Sequence, residues 1–140
     1  MQRYENLDQV QVEKLAEELA GQLRHRSAVI GLIGNLGAGK TTFAKAFAKI
    51  FKITKTSSPT FVVNHQYQLK NRVLYHLDFY RLLKEKELVP LGLDEIFYGK
   101  NLVLIEWADK FPKIMRKCDI LISLKVKPSN KRDVTIRAKK

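Results

Sequence analysis

The eight residues 34–41, GNLGAGKT, have the residue types and the spacing of a phosphate-binding loop. In the pattern G-x-x-x-x-G-K-[ST], glycines let backbone N–H groups converge on phosphate oxygens, and the following helix adds the positive end of its dipole. The lysine reaches the β- and γ-phosphates, and the hydroxyl of the last residue binds Mg²⁺. The pattern therefore predicts nucleotide contacts from Gly34, Gly37, Ala38, Gly39, Lys40, Thr41 and Thr42.

Two carboxylates could complete a magnesium–nucleotide site beside this loop. Such a site needs an acid at the carboxyl end of a neighbouring strand, where it orients the metal and its water. Glu106 ends a wholly apolar run, and Asp78 ends a second strand-like run. Because buried parallel strands are continuous apolar runs, we assign the metal to Glu106 and Thr41, and the positioning of water or of the metal's shell to Asp78. The predicted catalytic residues are Lys40, Asp78 and Glu106, although either acid could instead be a surface charge.

His76 lies two residues before Asp78 and therefore on the same face of that strand. Taken by themselves, these two side chains could begin a transition-metal site, but two ligands are too few for one. We expect His76 to be a strand histidine held by a hydrogen bond.

The segment SSPTF, residues 57–61, carries hydroxyl groups in a region where many P-loop proteins sense the γ-phosphate. Thr60 or Ser58 could act in this way, as a switch or a partner contact. A turn stiffened by Pro59 explains the segment equally well.

Residues 130–133, NKRD, match the N-K-x-D pattern with which GTPases recognise guanine. Here the pattern stands where a hairpin turn belongs, and the sequence contains no D-x-x-G motif for a GTPase switch. We therefore predict adenine rather than guanine recognition, and we interpret Arg132 as a nucleotide or partner contact.

Alternating helices and strands must position these residues. Helical spacing of apolar residues, continuous apolar runs and polar turns between strands predict the elements. The predicted helices cover 8–24 and 40–51, and the predicted buried strands cover 28–33 and 101–107. Two hairpins are predicted around the turns at 70–72 and 127–132. Short helices are predicted over 84–99, with a break at Pro90 and an end at Gly99. This order predicts an α/β fold, a P-loop NTPase-like three-layer domain with a mixed central sheet flanked by helices.

Length and composition set the wider expectations. The 140 residues predict one domain over 1–140, and the lack of a long apolar run excludes a membrane span. One cysteine allows no internal disulfide, which fits a reducing cytoplasm. The net charge of +12, with a basic C-terminal strand or tail at about 125–140, favours polyanionic partners unless it reflects a general lysine bias of the source.

Five motifs follow one another in an order that resembles the TsaE (YjeE) family of bacterial proteins. They are GNLGAGKTTFAKAF, SSPTFVV, YHLDFYRL, ELVPLGLDEIF and LVLIEWADK, and the resemblance covers roughly residues 5–137. It implies an ATPase that uses ATP and Mg²⁺ in making the N6-threonylcarbamoyladenosine modification of tRNA. It also implies partners, the TsaD and TsaB subunits, through which the protein would reach tRNA.

The resemblance also implies roles for individual residues. Residues 37–42 would hold the phosphates, with Thr41 and Glu106 on the metal and Asp78 as the other active-site acid. Trp107 would flank the site, and Arg132 would be a basic nucleotide contact. Residues 8–10 lie where members of the family touch the adenine.

A chain of this size leaves little room for a second substrate pocket, and no arginine is obvious as a transition-state finger, with Arg81 as the one remaining candidate. Slow hydrolysis stimulated by a partner is therefore expected. Two alternatives stay open. A small P-loop kinase for a metabolite or nucleoside would need an arginine-rich lid, which residues 81–99 do not offer. A nucleotide-dependent RNA-binding module is favoured by the basic tail but leaves the paired acids without a role.

Overall fold

The computed structural model describes residues 1–52 and 64–139 and forms one mixed sheet from the strands of these two ranges. The strand order is β1-β7-β6-β2-β5-β4-β3. The four central strands β6, β2, β5 and β4 run parallel to one another, and β1, β7 and β3 pair antiparallel with their neighbours. No helix in the described ranges is long and apolar enough to cross a bilayer.

The strands and helices have the following bounds. The strands are β1 Gln2–Leu7, β2 Ala28–Ile33, β3 Asn64–Gln68, β4 Val73–Asp78, β5 Leu102–Glu106, β6 Ile120–Lys127 and β7 Lys131–Ala138. The α-helices are α1 Gln9–Gln22, α2 Lys40–Lys49, α3 Leu93–Tyr98 and α4 Pro112–Lys117, and short 3₁₀ helices cover Glu85–Leu91, Ala108–Lys110 and Pro128–Asn130.

Two apolar cores, one on each face of the sheet, give the three layers that the sequence predicts. The strand residues alternate between them, as Ile30 and Leu32 face one core and Val29 faces the other. The first core contains α1 and α2, and the second contains α3 and α4. Every residue of β5 is buried, which explains its continuous apolar run.

Most predicted elements are present, with small shifts at their ends. The first helix begins after Asp8, whose side chain accepts a hydrogen bond from the Gln11 N–H as half of a capping box. The two hairpins are β3–β4 and β6–β7. Residues 60–63, which we expected at the start of the first hairpin, lie outside the described residues.

Two local predictions were wrong, and one strand was missed. The break in the short helices falls at Gly92, whose φ of 64° is left-handed, whereas Pro90 lies within a 3₁₀ helix. Arg132 lies in β7 and not in the turn. The strand β1 was missed because it is an exposed, largely polar edge strand whose order comes from pairing with β7.

Candidate active site

The phosphate-binding loop connects the carboxyl end of β2 to the start of α2. Gly37 and Gly39 have φ angles of 83° and 106°, which glycine adopts without strain. A Cβ atom on Gly34 would lie 2.7 Å from the backbone oxygen of Leu124 in β6. Gly37 and Gly39 are therefore required by the backbone conformation of the loop, and Gly34 is required by its close approach to β6.

The amino end of α2 is open to an anion. Its N-cap is Gly39, which has no side chain that could accept from the first-turn amides. The first helical hydrogen bond is donated by the Phe43 N–H to the Gly39 oxygen, at 2.9 Å. The amides of residues 40–42 precede this bond and, with the helix dipole, form the kind of site that binds phosphate.

Lys40 lies within the loop, with 4% of its surface exposed. Its Nζ donates hydrogen bonds to the backbone oxygens of Gly34 and Asn35, the second at 3.0 Å, and stands 3.9 Å from the ring centroid of Trp107. Burial lowers the pKa of Lys40, and the charge of Glu106 partly offsets this effect. The ammonium group is therefore held against the loop by two of its backbone carbonyls and the Trp107 ring.

Glu106 is the buried acid at the end of β5, next to Leu32 of β2, and only 3% of it is exposed. Its Oε1 accepts a hydrogen bond of 2.8 Å from the Thr41 hydroxyl. Its Oε2 lies 2.6 Å from Nε2 of His76. The histidine is thus held by a hydrogen bond, as its position in the strand suggested.

These contacts determine the charge of Glu106. Burial by itself raises the pKa of the carboxyl, but the hydrogen bonds from His76 and Thr41 and the charge of Lys40 outweigh burial. The net effect is a lowered pKa, so the buried group is a carboxylate at neutral pH.

Asp78 ends β4 directly beside Glu106 in the parallel ladder. Its Oδ1 accepts a hydrogen bond of 2.9 Å from the Tyr80 N–H. Burial raises the pKa of Asp78, the Tyr80 N–H opposes the rise, and the neighbouring charge of Glu106 adds to it. Two adjacent acids whose pKa values are displaced in opposite directions are suited to different roles.

Trp107 follows Glu106 with a left-handed φ of 62°, a conformation that is strained for a residue with a side chain. Its N–H donates to the Leu32 oxygen at 3.0 Å, which fixes the backbone against β2. Its ring lies beside Lys40 and 5.2 Å from the ring of Tyr80. The strained turn therefore places an aromatic wall next to the loop.

Arg132 contacts the loop from the other side. Its Nε donates to the Ala38 oxygen at 2.9 Å, and its Nη2 donates to the Gly37 oxygen at 3.2 Å. The side chain also lines a cavity of about 50 Å³ whose other walls are Gln9, Val12, Ala38, Gly39, Thr42 and Asn130. Arg132 therefore supports the loop backbone as well as facing this cavity.

The NKRD stretch is used within the sheet. Asp133, the residue that would have to recognise guanine, is buried in β7 and accepts a hydrogen bond of 3.0 Å from the Asn6 N–H. The Lys127 Nζ lies 3.7 Å from its other oxygen. These contacts agree with the interpretation that the stretch is not a guanine-binding motif.

The structure therefore brings Lys40, Thr41, Asp78, Glu106 and Trp107 together at the carboxyl ends of the parallel strands. Thr60 and Ser58 lie outside the described residues. Sequence reasoning did not find that Val12 and Asn130 share a cavity with the loop, because the three segments meet only in the fold. The spacing of Gln9 and Val12 on one helical face was the one available signal.

The family model for "Threonylcarbamoyl adenosine biosynthesis protein TsaE" matches residues 7–134, which is nearly the whole chain. The chain belongs to the TsaE family. The tRNA threonylcarbamoyladenosine biosynthesis protein TsaE of Aquifex aeolicus is 40% identical over 129 residues, covering 90% of this chain and 88% of the relative. The TsaE protein of Bacillus subtilis is 40% identical over 111 residues, covering 79% of this chain and 69% of the relative.

A solved structure gives the same fold. The crystal structure of YdiB from Bacillus subtilis matches with a TM-score of 0.75 at 31% identity, covering 98% of this chain and 84% of that one. The α/β fold with a P-loop and a mixed sheet, expected from the order of the elements, is thus confirmed. The TsaE relatives take part in threonylcarbamoyladenosine biosynthesis, the pathway that the motifs implied.

Proposed function

We propose that this chain binds ATP with Mg²⁺ and hydrolyses it in support of tRNA N6-threonylcarbamoyladenosine synthesis. The observation that carries the proposal is the hydrogen bond between Thr41 and Glu106. It places the hydroxyl of the phosphate loop and a buried carboxylate in one spot, which is the donor pair that a magnesium–nucleotide site requires.

The residues present fit both groups. Magnesium prefers oxygen ligands and is held by one or two carboxylates together with phosphate oxygens, so Thr41 and Glu106 would hold it without a closed protein cage. The open amino end of α2, the glycine loop and Lys40 fit the phosphates. When bound, Mg²⁺ would neutralise charge on the phosphate oxygens.

The side chains of this chain have separate tasks in the proposed reaction. Lys40 neutralises the developing charge on the β- and γ-phosphates, and its position is defined by the loop carbonyls and the Trp107 ring. Glu106 stays ionised in its hydrogen bonds and holds Thr41 in place. Asp78, with its raised pKa, orients the attacking water and is the group better suited to accept a proton.

The adenine is proposed to lie at the cavity between α1 and the loop. Gln9 and Val12 line it from α1, next to the residues 8–10 that the family resemblance indicated. Thr42 and Arg132 face the same cavity from α2 and β7. The predicted nucleotide contact of Arg132 is thus assigned to the base and sugar side of the site, whereas the backbone N–H of Thr42 stays assigned to the phosphates.

Partners complete the proposed activity. We assign the chain, as one domain over 1–140, to a cytoplasmic assembly with TsaD and TsaB, through which it reaches tRNA. The guanidinium of Arg132 is bonded to loop carbonyls, and Arg81 lies exposed beyond the end of β4. With neither arginine directed at the phosphates by the described contacts, hydrolysis by the chain alone should be slow and should rise when a partner binds.

The test measures ATP hydrolysis with Mg²⁺ by the protein alone and with its own TsaB and TsaD homologues. Weak hydrolysis that increases with the pair supports the proposal. Equal hydrolysis with and without the pair, or turnover only when a small phosphoryl acceptor is added, would reject it in favour of a kinase. Lys40→Ala should abolish ATP binding, and Lys14→Ala, an exposed lysine on α1, is the matched control.

A further inference from the structure

A large basic groove lies outside the nucleotide site. It has a volume of about 790 Å³ and is lined by residues from several separate loops. Among the lining residues in the described part of the chain, six are basic types and none is acidic. The basic residues, named here the basal cluster, are Arg24, His25, Lys52, Lys70, Arg72 and Lys100.

The groove is at the opposite edge of the sheet from the phosphate loop. Its walls immediately precede β2, β4 and β5, at residues 24–27, 70–72 and 100, and follow α2 at residues 50–52. These are the amino ends of parallel strands, whereas the phosphate loop, Asp78 and Glu106 are at their carboxyl ends. A molecule bound in the groove would therefore not block access to the predicted nucleotide site.

The lysine and arginine charges of the basal cluster have no carboxylate partner among the described residues. Among residues 1–52 and 64–139, no carboxylate oxygen lies within 4.0 Å of any of the six side chains, whereas Arg3 and Lys127 elsewhere do form such pairs. The sequence of residues 53–63, which lie outside the described ranges, contains no acid. Uncompensated cations gathered around a concavity raise the local concentration of polyanions.

One member of the cluster joins two walls of the groove. The Arg72 guanidinium donates to the backbone oxygens of Leu23, Arg24 and Arg26, the first at 2.9 Å, and so fastens the loop before β2 to the β3–β4 turn. It also lies 6.0 Å from the ring centroid of Phe51, which lines the groove. The basic side chains are thus arranged around a hydrogen-bonded junction with an aromatic ring in the groove wall.

We propose that this groove binds the sugar–phosphate backbone of an RNA. Cations spread along a concave surface match a chain of phosphates rather than a single anion, and a flat lipid surface would not contact the walls of a groove. The partly exposed ring of Phe51 adds a face on which a base can stack, a contact that an acidic peptide would not use in this way. The use of tRNA as the test RNA rests on the function proposed above.

The test compares two triple variants with the same change in net charge. Lys52→Glu/Lys70→Glu/Lys100→Glu removes three exposed cations of the groove, and Lys14→Glu/Lys86→Glu/Lys113→Glu removes three exposed lysines elsewhere. Binding of an unmodified tRNA transcript is measured by fluorescence anisotropy between 50 and 200 mM salt, concentrations in the range where phosphate contacts are revealed.

The groove variant should lose about tenfold or more in affinity, and its plot of log K against log salt should become less steep by about 2 to 3. The control variant should stay within about threefold of the parent. Equal losses in the two variants would show general electrostatics and overturn the proposal. Loss confined to a third variant in the basic tail, Lys125→Glu/Arg137→Glu/Lys139→Glu, would overturn it as well.

Two further measurements separate loss of RNA binding from misfolding and from loss of ATP hydrolysis. The milder variant Lys52→Gln/Lys70→Gln/Lys100→Gln provides the same comparison if charge reversal prevents folding. The groove variants should retain the ATP hydrolysis of the parent, because the groove lies at the opposite edge of the sheet.

If the parent hydrolyses no ATP and the groove variant still loses affinity for tRNA, the proposed function is rejected and the proposed RNA-binding groove is supported. Binding to vesicles with anionic phospholipid but not to tRNA would reject the RNA assignment.

Discussion

The Thr41 hydroxyl donates a hydrogen bond of 2.8 Å to Oε1 of Glu106, joining two residues that are 65 positions apart in the chain. The bond ties the first turn of α2 to the end of β5. Because His76 occupies the other carboxylate oxygen, the acid is held from both sides before any nucleotide arrives. Preorganisation of this kind reduces the rearrangement needed during the reaction.

Glu106→Gln tests the role of this charge. The amide oxygen can still accept from Thr41, so the loop should keep its shape, but the negative charge for the metal is lost. We expect Mg²⁺-dependent ATP hydrolysis to fall about 100-fold, or about 2.7 kcal/mol in the barrier. Nucleotide binding in EDTA should change by less than about threefold. Phosphate release and a fluorescent-nucleotide titration measure the two effects.

The control for this variant is Glu95→Gln, an exposed acid on α3. It should leave both quantities unchanged. Hydrolysis at the parental rate in the Glu106 variant would remove that residue from the metal site.

Asp78→Asn should stabilise the nucleotide-free protein while reducing hydrolysis. Burial and the charge of Glu106 raise the Asp78 pKa in the folded state, so the ionised carboxyl opposes folding. The amide oxygen can still accept from the Tyr80 N–H. At pH 7 the Tm should rise by about 2 °C, corresponding to roughly 0.5 kcal/mol for a domain of this size.

The pH dependence gives the decisive comparison for Asp78. The penalty begins as pH rises above the unfolded-state pKa and is complete above the raised folded-state pKa. The advantage of the asparagine variant should therefore disappear at acidic pH, where the carboxyl is protonated in both states. A loss of Tm that is the same at every pH would contradict this account. Thermal melts between about pH 3, which is below the ordinary aspartate pKa, and pH 8 make the measurement.

Arg132→Lys should weaken nucleotide binding without removing a charge. Lysine cannot reproduce the two separate hydrogen bonds that the guanidinium donates to the oxygens of Ala38 and Gly37. A bond from a charged donor is worth about 1.5 kcal/mol, and only the part of it that orders the loop for ATP contributes to affinity, so we expect the dissociation constant for ATP to rise by up to roughly tenfold. Arg137→Lys, an exposed arginine in the same strand, is the control, and titration calorimetry is the measurement. Parental affinity in the Arg132 variant would show that the loop holds its shape without these bonds.

Cys118 should report on the stability of the second core. Burial raises the pKa of its thiol to about 12, and its Sγ contacts the Ile114 oxygen at 3.3 Å, so the native protein should react very slowly with a thiol reagent at pH 8. The protein unfolded in urea should react at once with one equivalent. Fast reaction of the native protein would contradict the burial of this side chain.

Gly31→Ala should accelerate that reaction. The added Cβ would meet the Ala108 Cβ at 2.8 Å and the Cys118 Sγ at 2.9 Å. Overpacking of a core destabilises a protein by about 1 to 3 kcal/mol, so native labelling limited by opening should become roughly 5- to 150-fold faster. Gly21→Ala has open space around its added Cβ and is the control.

The best sequence predictions were those that rest on neighbouring residues. The phosphate loop could be predicted because its glycines, its lysine and the helix after it are adjacent in the chain. The first helix could be predicted from its apolar spacing and from Asp8 as its cap, a contact over three residues. Pro90 misled the prediction because a 3₁₀ helix tolerates it, while the left-handed Gly92 makes the break.

The pattern of β1 could not have shown that it is a strand. Its residues Gln2–Leu7 are mostly polar, and the register that pairs Gln2 with Ile136 depends on a strand at the other end of the chain. Pairing supplies the backbone hydrogen bonds that the local sequence does not demand.

By itself the sequence determined a phosphate loop between a buried strand and a helix, together with two acids at strand ends and a strong excess of positive charge. Only the tertiary structure decided that Thr41 bonds to Glu106, that Asp78 lies beside it, and that basic residues from separate loops form one groove. The physical reason is the separation along the chain between the residues that contact one another. Loop conformation and helix capping are set by contacts within a few residues, whereas strand register and side-chain pairing are set by packing between segments far apart in the chain.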